Sequence, residues 1–200
     1  MTNQRSSKGF TIIELMVATA IFSLTLVILL TAFLRIGNMF YKGVSISNTQ
    51  EVARTTIQDI SDDIKFANDK PTVGANFFCI GQHRYKYNLG KQVGATGTPY
   101  GLEREDIPGG ACSIGATGTS PQELLGSGMQ LNSISIDSCP NDLCTIKLLV
   151  VYYGSDNGVF TSPSGFSPAY KATDATCQGN NVGTQFCATA KYETRVSRKI

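Results

Sequence analysis

The 200-residue chain carries 17 Lys and Arg against 15 Asp and Glu, a formal charge of +2, and is 42% hydrophobic. Charges so evenly balanced exclude a general polyanion binder, although a local basic patch stays open, and the length suits one domain with an appended segment. A single histidine, His83, excludes most nucleophiles that depend on a paired imidazole.

The N-terminus is a short polar leader with Arg5 and Lys8, ending in Gly9. These two bases account for the whole net charge, so the side chains beyond Gly9 balance at 15 basic and 15 acidic. From Phe10 to Leu34 the chain is apolar for 25 residues and carries one charge, Glu14. As a helix this run measures about 38 Å, enough to cross a bilayer. A carboxylate deep in lipid costs roughly 2.5 to 3.5 kcal/mol even on lenient scales, so Glu14 needs a partner. A cut after Gly9 supplies one, because it gives Phe10 a free α-amine that Glu14 of the same or a neighbouring copy can neutralise.

The ordered run Gly9-Phe10-Thr11-Ile12-Ile13-Glu14-Leu15, behind Arg5 and Lys8, resembles the type III signal sequence of type IV pilins and pseudopilins. The resemblance implies cleavage by prepilin peptidase between Gly9 and Phe10 and N-methylation of Phe10. It also implies that Glu14 registers an incoming subunit against the Phe10 amine of one already in the filament. The implied partners are prepilin peptidase, other pilin or pseudopilin subunits, an inner-membrane assembly platform and membrane lipid, with no cofactor. Two plainer readings compete: a secretory signal peptide cut near Ala18-Thr19-Ala20, and an uncleaved anchor. The apolar run extends more than a dozen residues past the first site, and neither reading accounts for Glu14. The leader bases orient the anchor with its N-terminus in the cytoplasm.

Helical periodicity continues beyond the apolar run. Ala53, Ile57, Ile60, Ile64 and Ala67 form one apolar stripe, while Arg54, Gln58, Asp59, Asp62, Asp63 and Lys65 read as a solvated face. The helix is expected to run from Phe10 to about Asn68, near 90 Å. Gly37 and Gly43 weaken its middle and suggest bending there.

From residue 76 the pattern becomes that of strands: 76–80, 84–89, 131–137, 145–153 and 189–196 are rich in β-branched and aromatic residues. Asp156-Asn157-Gly158 suits a hairpin turn into Val159 and Phe160. The nine glycines and three prolines of 91–128 predict a long loop region, with a helical turn at Pro121 to Leu125. The expected fold is α+β and pilin-like: a long N-terminal helix packed on an antiparallel β-sheet. The expected segments are a leader (1–9), a transmembrane and assembly helix (10–35), an amphipathic helix half (36–70) and a disulfide-containing β-rich domain (71–200).

Six cysteines lie beyond the apolar segment, as suits an oxidising compartment. Fifteen pairings are open. Short loops close readily, which favours Cys79 with Cys112, Cys139 with Cys144 and Cys177 with Cys187. Zinc is disfavoured, since no C-x-x-C pair occurs and only His83 could assist.

No catalytic constellation emerges. His83, Arg84, Tyr85 and Lys86 suggest a strand edge, and the acids Glu103, Glu105 and Asp106 read as solvated loop residues. Two clusters, Tyr85-Lys86-Tyr87 and Lys191, Tyr192, Arg195, Arg198, Lys199, mix bases with aromatics as single-strand DNA binders do, but strand alternation explains them equally. The segment 51–67 and the domain containing Val150-Val151-Tyr152-Tyr153 are similar to W-type minor pilins and the J-type pseudopilin of type II secretion. The expected function is a non-enzymatic minor subunit, membrane-held and then extracted into a filament at the cell surface or in the periplasm, which it helps to start or cap. The alternatives are a main structural pilin, or a filament-displayed adhesin or DNA receptor.

Overall fold

The computed structural model describes residues 9–95, 97, 100–108, 112, 117–137, 139–152, 160–161, 176–177 and 186–199. Helix α1 spans Ile12–Phe66, with both Gly37 and Gly43 inside it. The chain divides into two compact units, residues 1–40 and 41–200.

In the first unit the helix carries its apolar side chains outward: Ile13, Val17, Ile21, Leu24, Ile28 and Phe33 are all exposed. The apolar 18-residue window of the helix is uncovered by the described residues, and the helix is long and apolar enough to cross a membrane.

In the second unit the remainder of α1 packs on antiparallel sheets, giving an α+β, pilin-like arrangement. The stripe Ala53, Ile57, Ile60, Ile64 and Ala67 is buried throughout. It meets Phe78, Ile80, Tyr85, Leu102, Leu131, Ile146, Leu148 and Val150 from the sheets in one core. Burying a side chain of this size contributes about 1.5 to 3 kcal/mol, so the stripe anchors the helix on the sheets.

A five-stranded sheet has the order β1 (Thr72–Val73), β2 (Phe77–Ile80), β3 (His83–Tyr87), β4 (Leu102–Asp106), β5 (Thr119–Glu123). A second sheet has the order β10 (Ala188–Ser197), β7 (Leu143–Tyr152), β6 (Met129–Ile136). A two-stranded pair joins β8 (Phe160–Thr161) to β9 (Thr176–Cys177). All pairings within these sheets are antiparallel. The turn proposed at 156–158 lies outside the described residues.

Three expectations are corrected. The stretch 91–128 is not wholly loop, because it contains β4 and β5. Pro121 to Leu125 forms no helical turn: Pro121 lies within β5, an edge strand, where a missing backbone N–H is tolerated. His83 is not at a sheet edge, since β3 is the central strand of five. One cause underlies all three. The Leu-Glu-Arg-Glu-Asp of β4 has no apolar alternation, and its strand form comes from cross-strand pairing of Glu103 with Lys86 and Glu105 with Arg84.

Candidate assembly site

Helix α1 begins with a reciprocal cap. Thr11 precedes the first helical residue, and its backbone carbonyl accepts from Leu15 N at 3.2 Å. The Thr11 hydroxyl accepts from Glu14 N at 3.2 Å, and Thr11 N donates to Glu14 Oε2 at 2.9 Å. The same hydroxyl lies 3.0 Å from Glu14 Oε2. This is a capping box, Thr-x-x-Glu, in which each residue satisfies a backbone donor that the first helical turn leaves unpaired. The carboxylate also sits at the positive end of the helix dipole. The one charge in the apolar run thus has a local partner as well as the intermolecular one implied by resemblance. The Thr11-x-x-Glu14 spacing was the signal that could have revealed it. Phe10 is 87% exposed beside the cap, and nothing lies within 4 Å of a side chain built at Gly9.

A polar leader, a Gly-Phe junction, a capped glutamate and an uncovered apolar helix thus occur together. Residues 4–30 match the family model described as the prokaryotic N-terminal methylation motif. The match supports a pilin or pseudopilin processed by prepilin peptidase, and a structural subunit rather than an enzyme. No curated protein and no solved structure matches the chain.

The six cysteines lie within bonding distance in three pairs. Sulfur separations are 2.10 Å for Cys79–Cys112, 1.98 Å for Cys139–Cys144 and 2.07 Å for Cys177–Cys187. Among the described residues no group of three His, Cys, Asp or Glu side chains could hold a metal ion.

Glu103 and Glu105 of β4 are not solvated, as a loop would leave them, whereas Asp106 is exposed. Glu105 is 6% exposed and Arg84 3%. Arg84 Nη2 donates to Glu105 Oε2 at 2.5 Å and Nε donates at 3.2 Å. Lys86 Nζ lies 2.7 Å from Glu103 Oε1 and also contacts Glu105. Burial opposes the charge of Glu105, but hydrogen bonds from Lys86 and Arg84 outweigh it and hold the carboxyl at about 2. An ion cluster satisfied in this way braces the sheet; it offers no unpaired acid for general acid–base work.

On the other face of the same strands, Tyr85 is fully buried and its hydroxyl donates to Asp63 Oδ2 at 2.5 Å. Arg104 Nη2 donates to Asp63 Oδ1 at 3.2 Å and to His83 Nε2 at 2.9 Å. His83 Nδ1 is thereby left to donate to Asp106 Oδ1, 2.8 Å away. Asp63, read from sequence as part of a solvated face, instead joins the helix to the sheet. Lys65 pairs with Asp62 at 2.8 Å.

The aromatic and basic cluster of β3 presents no stacking platform, because Tyr85 and Tyr87 are buried in the core and Lys86 is held by two glutamates. At the end of β10, Arg198 contacts Asp142 at 3.2 Å and donates to the Asn68 carbonyl, while Lys199 lies over the Phe66 ring. These contacts fasten the C-terminal strand to the end of α1.

Proposed function

We propose that this chain is a minor pilin-like subunit. Residues 1–9 form the leader, and residues 10–35 hold the chain in the cytoplasmic membrane with the β-rich domain outside. Prepilin peptidase cuts between Gly9 and Phe10, Phe10 is methylated, and the helix passes from lipid into a type IV pilus or type II secretion pseudopilus. Glu14, freed from purely local capping, then meets the new amine of a neighbouring Phe10. The observation that carries the reading is the methylation motif at the head of a helix whose apolar surface nothing covers. Such a surface is unstable in water and requires either lipid or the matching helices of other subunits.

The initiating or capping role rests on the similarity of the 51–67 helix and the domain beyond it to W-type minor pilins and the J-type pseudopilin. It gains support from the cross-linked domain that α1 carries, with three sheets and three cysteine pairs among the described residues. Mass spectrometry of protein from the native host tests the processing: a mature chain beginning at methylated Phe10 is expected, whereas a start at Ile21 overturns it. Counting copies per filament length tests the role, and parity with the bulk subunit would assign the chain as a main structural pilin instead.

A further inference from the structure

Among the described residues, the outer edge of β10 pairs with no further strand. Natural sheets blunt their edges, since an open one recruits any extended segment. Here three of the four edges of the two larger sheets are blunted. β1 is two residues long. β5 carries Pro121 and a left-handed Ser120 with φ of 54°. The edge of β6 is covered by residues 89–93, through Gly90 N donating to Leu131 O at 2.9 Å and Val93 N to Met129 O at 2.8 Å. β10 has ten residues in unbroken register with β7; β9, tied to its start through Cys177–Cys187, touches it, and among the described residues no proline, bulge or paired strand blunts its outer edge.

The register shows which groups face outward. Arg198 N donates to Asp142 O at 3.0 Å, so Arg198 and Asp142 form a hydrogen-bonded pair, and every second residue before Arg198 does likewise. The donation of Asp137 N to Thr145 O agrees, because it assigns the alternate residues of β7 to β6. The backbone N–H and C=O of Glu193 and Arg195 therefore point away from β7. Beside them runs a groove of about 380 Å³, lined by residues 192–196 on one side and by Arg54, Gln58 and Lys65 of α1 on the other. Glu193 is matched by Lys147 at 3.8 Å and Lys65 by Asp62; Arg54 and Arg195 form no ion pair within 4 Å among the described residues, Arg195 acting on the Asp137 carboxylate only at longer range, so the unpaired charge of the groove is cationic.

We infer that this edge takes up an extended acidic segment of another protein, which adds as a further strand beside β10 with its carboxylates on Arg54 and Arg195. A second copy is the poorer occupant. The acidic strand of this chain, β4, is paired on both sides, and β5 is blocked by Pro121. The inference does not depend on the filament reading, since it uses only residues 41–200.

The test uses the full chain in detergent micelles and a fluorescent decapeptide of Glu-Glu-Val-Val repeats, which places carboxylates on both faces of an extended strand, with the matching Lys-Lys-Val-Val peptide as control. Saturable binding is expected for the acidic peptide, weakened roughly tenfold or more in the lysine peptide and in the double variant Arg54→Glu with Arg195→Glu. Amide exchange at Glu193 and Arg195 should slow on binding, while Thr194, already bonded to β7, should not change. Glu193→Pro removes an outward-facing N–H and should abolish binding, whereas Glu193→Gln, which loses only the charge paired with Lys147, should not. Absence of saturable binding, equal binding of the lysine peptide, or retention by both the double variant and Glu193→Pro overturns the inference. So does size-exclusion chromatography showing a dimer that Glu193→Pro dissolves, which would make a second copy the occupant.

Discussion

The hydroxyl of Tyr85 and the carboxylate of Asp63 share a 2.5 Å hydrogen bond that ties the central strand β3 to helix α1. Burial, and then Asp63 itself, push the Tyr85 hydroxyl far above its usual range. Tyr85→Phe keeps the ring and deletes the bond, so it should cost about 1.5 to 3 kcal/mol in urea unfolding, the range for hydrogen bonds to charged groups. The sign of the pH effect follows from a raised folded value. The contribution is complete below the unfolded value near pH 10 and is lost as the pH rises beyond it. Wild type should therefore lose stability above pH 10 more steeply than Tyr85→Phe.

Acid should weaken the sheet at Glu105. Despite burial, hydrogen bonds from Lys86 and Arg84 hold its carboxyl at about 2, well below the usual 4.5. A lowered folded value contributes stability that is complete above 4.5 and falls away as the pH drops toward 2, by roughly 1 to 3 kcal/mol. Glu105→Gln should flatten this slope in unfolding curves measured across that interval, at the cost of lower stability at neutral pH.

Gly118 leaves room for the same carboxylate. A methyl group there would collide with the Glu105 side chain, whose position is held by Arg84 and Lys86. Gly118→Ala should lower stability by about 1 to 3 kcal/mol, as overpacking does. Gly97→Ala, with nothing within 4 Å, serves as the open-space comparison; its φ of +78° limits its loss to backbone strain.

The Cys79–Cys112 bridge closes the longest loop of the three, with a sequence separation of 33 against 10 for Cys177–Cys187. Loop-closure entropy gives about 3 to 4 kcal/mol for the longer loop and nearer 3 for the shorter. Paired Cys→Ser replacements should rank in that order by denaturant midpoint.

Thr11→Ala should fray the start of α1, because it removes the hydroxyl that accepts from Glu14 N. In micelles, amide exchange should quicken at Glu14, and Thr11→Ser should restore protection. Unchanged exchange in Thr11→Ala would show that the first turn does not rely on this cap.

Local pattern and tertiary pairing contributed differently along the chain. The stripe from Ala53 to Ala67 was legible because helical spacing is a property of neighbours, and all five of its residues are buried. The runs that became β2, β3, β6, β7 and β10 were legible from β-branched and aromatic content. β4 was not, since Leu-Glu-Arg-Glu-Asp looks like solvated loop until Arg84 and Lys86, in another strand, are placed opposite it. Asp63 was misread for the same reason: its partners Tyr85 and Arg104 lie 22 and 41 residues away.

By itself the sequence determined the chemistry of residues 4–30, which match the methylation motif. The leader bases, the Gly9-Phe10 junction, Thr11, Glu14 and the apolar run are contiguous, and their chemistry needs no distant partner to be recognised. Only the tertiary structure decided that the charges of β3 and β4 pair with one another, that Asp63 joins helix to sheet, and that, among the described residues, β10 pairs on one side only. Those outcomes depend on which strands lie side by side, and that order is set by burying the α1 stripe against two sheets at once, a long-range packing condition that no local spacing encodes.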